Sequence, residues 1–204
     1  MPKPESKKVI AVDIDDVLAD EKEDVRKFIN KQYSLEHTPE DYMIEAPYGR
    51  YFEKVWGVDS KKGLEMYETY FKSGLKANHR PIKGAVDAIS ELKEKYNFVV
   101  VTSRGDRSFN FTHTWLEKHF PEIFKEIAFV PLWSKDREFT KAEICKEIGA
   151  SYLIDDNADH CNLTQNAGVQ ALLFGKYGWN RKVKLSRGVV RVNDWLAVLK
   201  YFEK

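Results

Sequence analysis

Residues 9–18 read Val9-Ile10-Ala11-Val12-Asp13-Ile14-Asp15-Asp16-Val17-Leu18. An apolar run of strand length breaks off into acid, with two carboxylates two positions apart. Side chains alternate along an extended chain, so Asp13 and Asp15 are expected on one face at a strand's carboxyl end. Open α/β sheets bind their ligands along that edge. Two like charges so close repel each other unless a cation or a proton neutralises them. The pair therefore points to a divalent-metal site and to chemistry on something anionic. Taken alone, a D-x-D also serves as a plain metal clasp in sugar transferases, or as a turn.

Further apolar runs resemble the first: Phe98 to Thr102, Tyr152 to Asp155 and Val169 to Phe174, with Ile127–Val130 and Val189–Val192 less marked. Unbroken apolar strands suggest a sheet covered on both faces. Helical stripes lie between them. Ala85, Ile89, Leu92 and Tyr96 make one, Ile144, Cys145 and Ile148 a second, and Leu196, Leu199 and Phe202 a third, behind an Asn193/Asp194 cap. The alternation predicts an α/β fold with a doubly wound, mostly parallel, Rossmann-like sheet.

One interval breaks the rhythm. About 80 residues separate Leu18 from the strand at Phe98, whereas a crossover needs only a few dozen. Asp20 and Glu23 have the spacing of a helix cap, followed by Val25, Phe28 and Ile29 on one face. Leu64, Tyr67, Phe71 and Leu75 make another stripe. Residues 19–80 therefore read as a helical insertion, a cap domain starting right after the acidic pair and placed as a lid over it. Residues 1–18 and 81–204 form the core domain.

The composition allows one domain with an insertion, or two small ones: 204 residues, 43% hydrophobic, formal net charge +1. Such a balance gives no electrostatic footprint for a nucleic-acid polymer or an anionic membrane. The short basic clusters Lys7-Lys8 and Arg181 to Lys184 read as solvated surface. Cys145 and Cys161 lack metal-ligand spacing and fall in helical patterns, so reduced, partly buried thiols are expected. No apolar run reaches membrane-span length and the first residues do not form a signal peptide, so a cytoplasmic protein is expected. The oligomeric state stays open.

Other strand and helix ends carry chemistry too. Thr102 and Ser103 follow the Phe98 strand, with Arg104 and Gly105 next; these hydroxyls and N–H groups suit a phosphate oxygen, or an ordinary helix cap. Thr140 and Glu143 form a T-x-x-E capping box, which puts Lys141 in a first helical turn. A lysine is unfavourable at that positive end unless an anion lies nearby. Asp155 and Asp156 end the Tyr152 strand. Buried carboxylates need partners, and a shared cation is the simplest one. Oxygen ligands without clustered His or Cys favour Mg²⁺ over zinc. The five histidines are scattered. His113 and His119 share a helix without ligand spacing, so surface or capping roles are expected.

Asp-x-Asp, Thr-Ser, Lys and Asp-Asp thus occur in order, each at a strand or helix end. In VDIDDVLAD, VVVTSRG, TKAEICKEIGA and YLIDDN the chain resembles the haloacid-dehalogenase (HAD) superfamily of phosphotransferases, over nearly its whole length. With PIKGAVDAISELK and TWLEKHFPEIF around the second motif, the layout looks most like the 5′(3′)-deoxyribonucleotidases. The resemblance implies a phosphatase with Asp13 as nucleophile and Asp15 as acid and base. It implies Mg²⁺ on the carboxylates of Asp13 and Asp156 and the backbone carbonyl of Asp15. Thr102, Ser103 and Lys141 would bind phosphoryl oxygens, with Asp155 and Arg104 supporting. The substrate implied is a small phosphomonoester, most naturally a nucleoside monophosphate; a sugar phosphate is the rival.

Two positions depart from the family's pattern. Asp16 stands where glycine is usual, and Phe139 occupies the place of an arginine two residues before the phosphate lysine, with Arg137 and Lys135 further back. The insertion is rich in aromatics, most of them expected as its core; Tyr48 and Phe71 are the candidates for the substrate pocket. The loop Tyr177 to Arg181 is expected to border the site. A phosphoreceiver switch shares the order of motifs, but its acceptor aspartate needs a strand that the sequence around Asp59 lacks.

Overall fold

The computed structural model describes residues 7–130 and 139–203. Six strands, β1 Lys8–Val12, β2 Tyr96–Thr102, β3 Phe124–Phe129, β4 Ala150–Asp155, β5 Gln170–Phe174 and β6 Val190–Val192, form one sheet in the order β3-β2-β1-β4-β5-β6. Every pairing is parallel. The chain winds from β1 outward to β3, returns to β4 and winds the other way, so β1 and β4 flank the point where the order reverses. Such a switch point opens a crevice at the carboxyl ends of the strands. Both weaker candidates from the sequence are real strands.

Strand alternation sends Ile10, Val12, Phe98, Val100, Ile154 and Leu172 into one buried layer, where α4 (Ala85–Leu92), α5 (Phe109–His119) and α8 (Trp195–Phe202) cover them. Ala11, Val99, Val101 and Leu153 face the other side, against Cys145 of α6 (Lys141–Glu147). Ala171 and Leu173 meet Cys161 of α7 (Ala158–Asn166). Both cysteines are buried and reduced.

Between β1 and α4 lie three helices, α1 Glu21–Tyr33, α2 Tyr51–Trp56 and α3 Ser60–Lys72, with short 3₁₀ turns between and after them. They bury an apolar cluster of their own: Val25, Ile29, Tyr42, Tyr51, Val55, Trp56, Met66 and Tyr70. Its two connections to the sheet run side by side. Asp20 N–H donates to the Arg80 carbonyl at 3.0 Å and Ile82 N–H to that of Leu18 at 2.7 Å.

Several local expectations are corrected. Tyr96 starts β2 rather than extending the stripe of α4. In α3 the buried line is Gly63, Met66 and Tyr70, and Leu64 is 65% exposed. In α8 Trp195 and Val198 face inward, and Leu196 is 59% exposed. Asp194 alone caps that helix, accepting from Ala197 N–H at 2.8 Å. The Asp20 side chain makes no capping bond; Asp16 reaches over instead, its Oδ1 accepting from Lys22 N–H at 2.9 Å. Glu23 pairs with Arg26.

Candidate active site

The register of β1 on β4 builds the site. Val12 lies opposite Ile154 and Asp13 N–H donates to the Ile154 carbonyl at 3.0 Å. Asp13 therefore leaves the sheet beside Asp155 and Asp156, and one carboxylate oxygen of each lies within 4.8 Å of the others. All three side chains are buried. The Thr140–Glu143 capping box is present and sets Lys141 at the first turn of α6. Lys141, only 2% exposed, puts Nζ 3.0 Å from Asp13 Oδ1 and 2.8 Å from Asp155 Oδ2. Two anions thus answer the helix-end cation that the sequence left unexplained.

One ammonium does not balance three carboxylates. Burial pushes the Asp13 carboxyl up to about 6; Lys141 opposes this, and Asp155 and Asp15 add to it. Burial also raises Asp156, reinforced by the charges of Asp155, Asp13 and Asp16. Asp155 goes the other way: Lys141 and His160 outweigh its burial and hold it below the usual carboxylate range. Asp13 Oδ1, despite its ion pair, receives no directed hydrogen bond, and Asp156 Oδ1 is buried without a partner. Orphaned, crowded, hard oxygens of this kind suit a divalent cation such as Mg²⁺. Ser103 Oγ is likewise buried and unpaired, while Thr102 Oγ1 accepts from Arg104 N–H at 3.3 Å.

The Asp15 carboxylate lies outside this three-oxygen group, though its charge still raises Asp13; its own partners are cations. Arg104 clamps the Asp15 carboxylate from two sides, Nη2 to Oδ1 at 2.6 Å and Nε to Oδ2 at 3.0 Å. Lys76 Nζ stands 3.3 Å from Asp15 Oδ2 and 2.6 Å from Glu21 Oε1, and Tyr67 donates to the same Glu21 oxygen at 2.9 Å. Burial would raise the Asp15 carboxyl, but Arg104 and Lys76 outweigh it and hold it well below the usual range. Asp15 is therefore the crossing point between the sheet and the inserted helices.

Of the two proposed pocket aromatics, Tyr48 stands edge-on to Trp179 at 6.0 Å and is 39% exposed; loss of water around its hydroxyl and the charges of Asp156, Asp13 and Asp155 raise its phenol. Phe71 lies edge-on to Phe111 and under the Arg107 guanidinium, and Phe111 in turn lies under Arg104. The loop Tyr177–Arg181 does border the site: Trp179 Nε1 donates to Asp156 Oδ2 at 2.7 Å, and Asn180 Nδ2 to the Asp156 carbonyl at 2.9 Å. Tyr177 donates to the Asp16 carbonyl. Arg137 and Lys135 lie outside the described residues.

Sequence reasoning missed Lys76, Glu21 and Tyr67, which carry no motif, and two histidines. His160 Nδ1 is 3.3 Å from Asp155 Oδ2. His79 is fully buried between Asp24, at 2.7 Å, and the Tyr70 hydroxyl, at 3.2 Å. A buried histidine needs polar partners on both nitrogens, and nothing local announces them.

A doubly wound sheet with an acidic switch point and an insertion after β1 defines a HAD-type phosphatase. The chain belongs to the family described as "5' nucleotidase, deoxy (Pyrimidine), cytosolic type C protein", whose model matches residues 7–202. It is 24% identical, over 95% of its length and 94% of the relative's, to a Staphylococcus epidermidis protein described as a "Putative 5'(3')-deoxyribonucleotidase". It is 32% identical over 120 residues to an uncharacterised 32.4 kDa protein of phage T4, covering 53% of this chain and 40% of that one. A haloacid dehalogenase-like hydrolase from Streptococcus pneumoniae shares the fold with a TM-score of 0.64 at 14% identity, over 96% of this chain and 98% of its own. Among the described residues no helix is long and apolar enough to cross a membrane.

Proposed function

We propose that the protein is a Mg²⁺-dependent phosphomonoesterase that hydrolyses nucleoside monophosphates through an aspartyl-phosphate on Asp13. One observation carries this reading: buried Asp13 beside Lys141, with Asp156 Oδ1 left unpaired close by in the switch-point crevice. Asp13 and Asp156, with the backbone carbonyl of Asp15, would hold Mg²⁺. When bound, that ion neutralises the crowded acids so that an anionic phosphate can approach.

In the first step an Asp13 oxygen bonds to phosphorus and the ester P–O bond breaks, the leaving oxygen taking a proton from Asp15. In the second, water attacks the same phosphorus, gives its proton to Asp15 and releases Asp13 and phosphate. Lys141, Ser103 and the Thr102 hydroxyl hold the equatorial oxygens as charge redistributes. Asp155 orients Lys141. Arg104 and Lys76 hold Asp15 ionised in the free enzyme. A phosphomonoester that enters as the monoanion brings the proton: its oxygens compete for both cations, and the proton passes to the freed Asp15.

Residues 19–80 act as the cap over residues 1–18 and 81–204. Tyr48 borders the space where the leaving group would lie, and with the family's description this supports a nucleoside there and a cytosolic enzyme. A panel of deoxynucleoside monophosphates and sugar phosphates, compared by kcat/KM with Mg²⁺ present, tests the substrate. Faster turnover of the nucleotides is expected; a preference for sugar phosphates would replace this assignment.

A further inference from the structure

Trp179 has no part in the chemistry above, yet it touches the crevice directly. Its indole N–H donates to Asp156 Oδ2 at 2.7 Å, and its neighbour Asn180 fixes the Asp156 main chain. With Oδ2 anchored, the carboxylate cannot turn freely, and the orphaned Oδ1 is the atom left for a cation. The backbone of Trp179 follows β5, but its ring belongs to the apolar cluster of the inserted helices. It meets Tyr51 edge-on at 4.7 Å and Tyr48 at 6.0 Å, and stacks on Tyr177 at 4.6 Å.

The loop is pressed against the insert along its length. A Cβ at Gly178 would overlap the Ile44 carbonyl oxygen, so only glycine allows that approach. Three and four residues on, Arg181 and Lys182 both pair with Glu45, at 3.0 and 2.9 Å. Packing within residues 42–51 therefore decides where the indole N–H points.

We propose that Trp179 is a positioning residue for Asp156, set by the packing of the inserted helices, so that the insert governs how firmly the divalent cation is held. This rests on the reading of Asp156 as a Mg²⁺ ligand. Groups that orient a ligating carboxylate typically account for about 10- to 100-fold in metal affinity.

The test is calorimetric titration of Mg²⁺ alone into the metal-stripped full chain, without substrate. Trp179→Phe keeps an aromatic ring and removes the donor; its Kd should rise about tenfold or more. Trp56→Phe is the control. Its indole donates within the same cluster, to the Tyr42 hydroxyl, and reaches no carboxylate, so any weakening should be well below that of Trp179→Phe. Gly178→Ala keeps the indole but forces the loop off Ile44, and it too should bind Mg²⁺ more weakly. Wild-type affinity in Trp179→Phe overturns the proposal, as does equal weakening in Trp56→Phe, which would show that the Trp179 N–H does nothing beyond filling the insert's core. Wild-type affinity in Gly178→Ala overturns the control by the insert. A wild-type chain that binds no Mg²⁺ refutes the metal reading itself, an outcome distinct from the others.

Discussion

Lys141 Nζ lies 3.0 Å from Asp13 Oδ1, a buried ion pair that joins the end of β1 to the start of α6 across the switch point. Burial would lower the ammonium's pKa, but Asp13 and Asp155 outweigh it and raise it, so Lys141 stays charged throughout the working range. Lys141→Met removes the cation that faces the phosphoryl group. The expected loss in kcat is about 10²–10³-fold, read by steady-state kinetics. Without Mg²⁺ the same variant leaves two carboxylates uncompensated, and urea unfolding should show a loss of about 3 kcal/mol or more. Near-wild-type kcat would remove Lys141 from the mechanism.

Stability should depend on pH and Mg²⁺ together. Asp13 is raised from 3.8 to about 6 in the fold, and Asp156 is raised as well. A carboxyl with a raised folded pKa binds its proton more tightly in the native state. Its contribution is full below pH 3.8 and is lost as pH rises through about 6. Asp15 and Asp155, held low, contribute fully above the ordinary carboxylate value and lose that contribution only as pH falls below it, outside this window. The metal-free chain should therefore lose stability between about pH 4 and 6. Protons compete with Mg²⁺ for Asp13, so the rise in Tm on adding Mg²⁺ should be larger at pH 7.5 than at pH 5. An equal shift at both, by calorimetry, would contradict the cluster's role.

Asp16 occupies the left-handed region, with φ of 57°. This explains why glycine is the ordinary residue there. Against that backbone cost, the Asp16 Oδ1 caps Lys22 N–H at the start of α1. Asp16→Ala keeps the strain and loses the cap; Asp16→Gly loses the cap but relieves the strain. Urea unfolding should find the glycine variant more stable than the alanine variant by about 1 kcal/mol. Equal stabilities would mean that the turn is unstrained.

Lys76 is almost fully buried between Asp15 and Glu21. Lys76→Met strands Glu21 and should cost about 3–5 kcal/mol. Adding Glu21→Gln removes the stranded charge, so the double variant should recover part of that loss. A double variant no more stable than Lys76→Met alone would show that the pair does not act as a unit.

The sheet and the acidic crevice were legible because both depend on short-range pattern. Strand ends carry Asp13, Thr102 and Asp155-Asp156 directly in the sequence, and a capping box fixes Lys141. Where a residue acts through tertiary packing, the pattern fails. Lys76 and Glu21 meet Asp15 only because the two connections of the insert run side by side. Trp179 lies in a loop expected beside the site, but its bond to Asp156 depends on β5 delivering that loop beside β4. Helix faces were misread for a related reason. Leu64 and Leu196 fit an apolar stripe as well as Met66 and Val198 do, and only the packed neighbours decide which face turns inward.

The claim that Asp13 is the nucleophile is tested most directly by acid-quenching the enzyme during turnover of a deoxynucleoside monophosphate with Mg²⁺. The peptide holding Asp13 is then analysed by mass spectrometry. The account predicts one added phosphoryl group on Asp13, absent in Asp13→Asn, which should fold yet hydrolyse nothing. Full turnover by that variant, or phosphate trapped on any other residue, would contradict it.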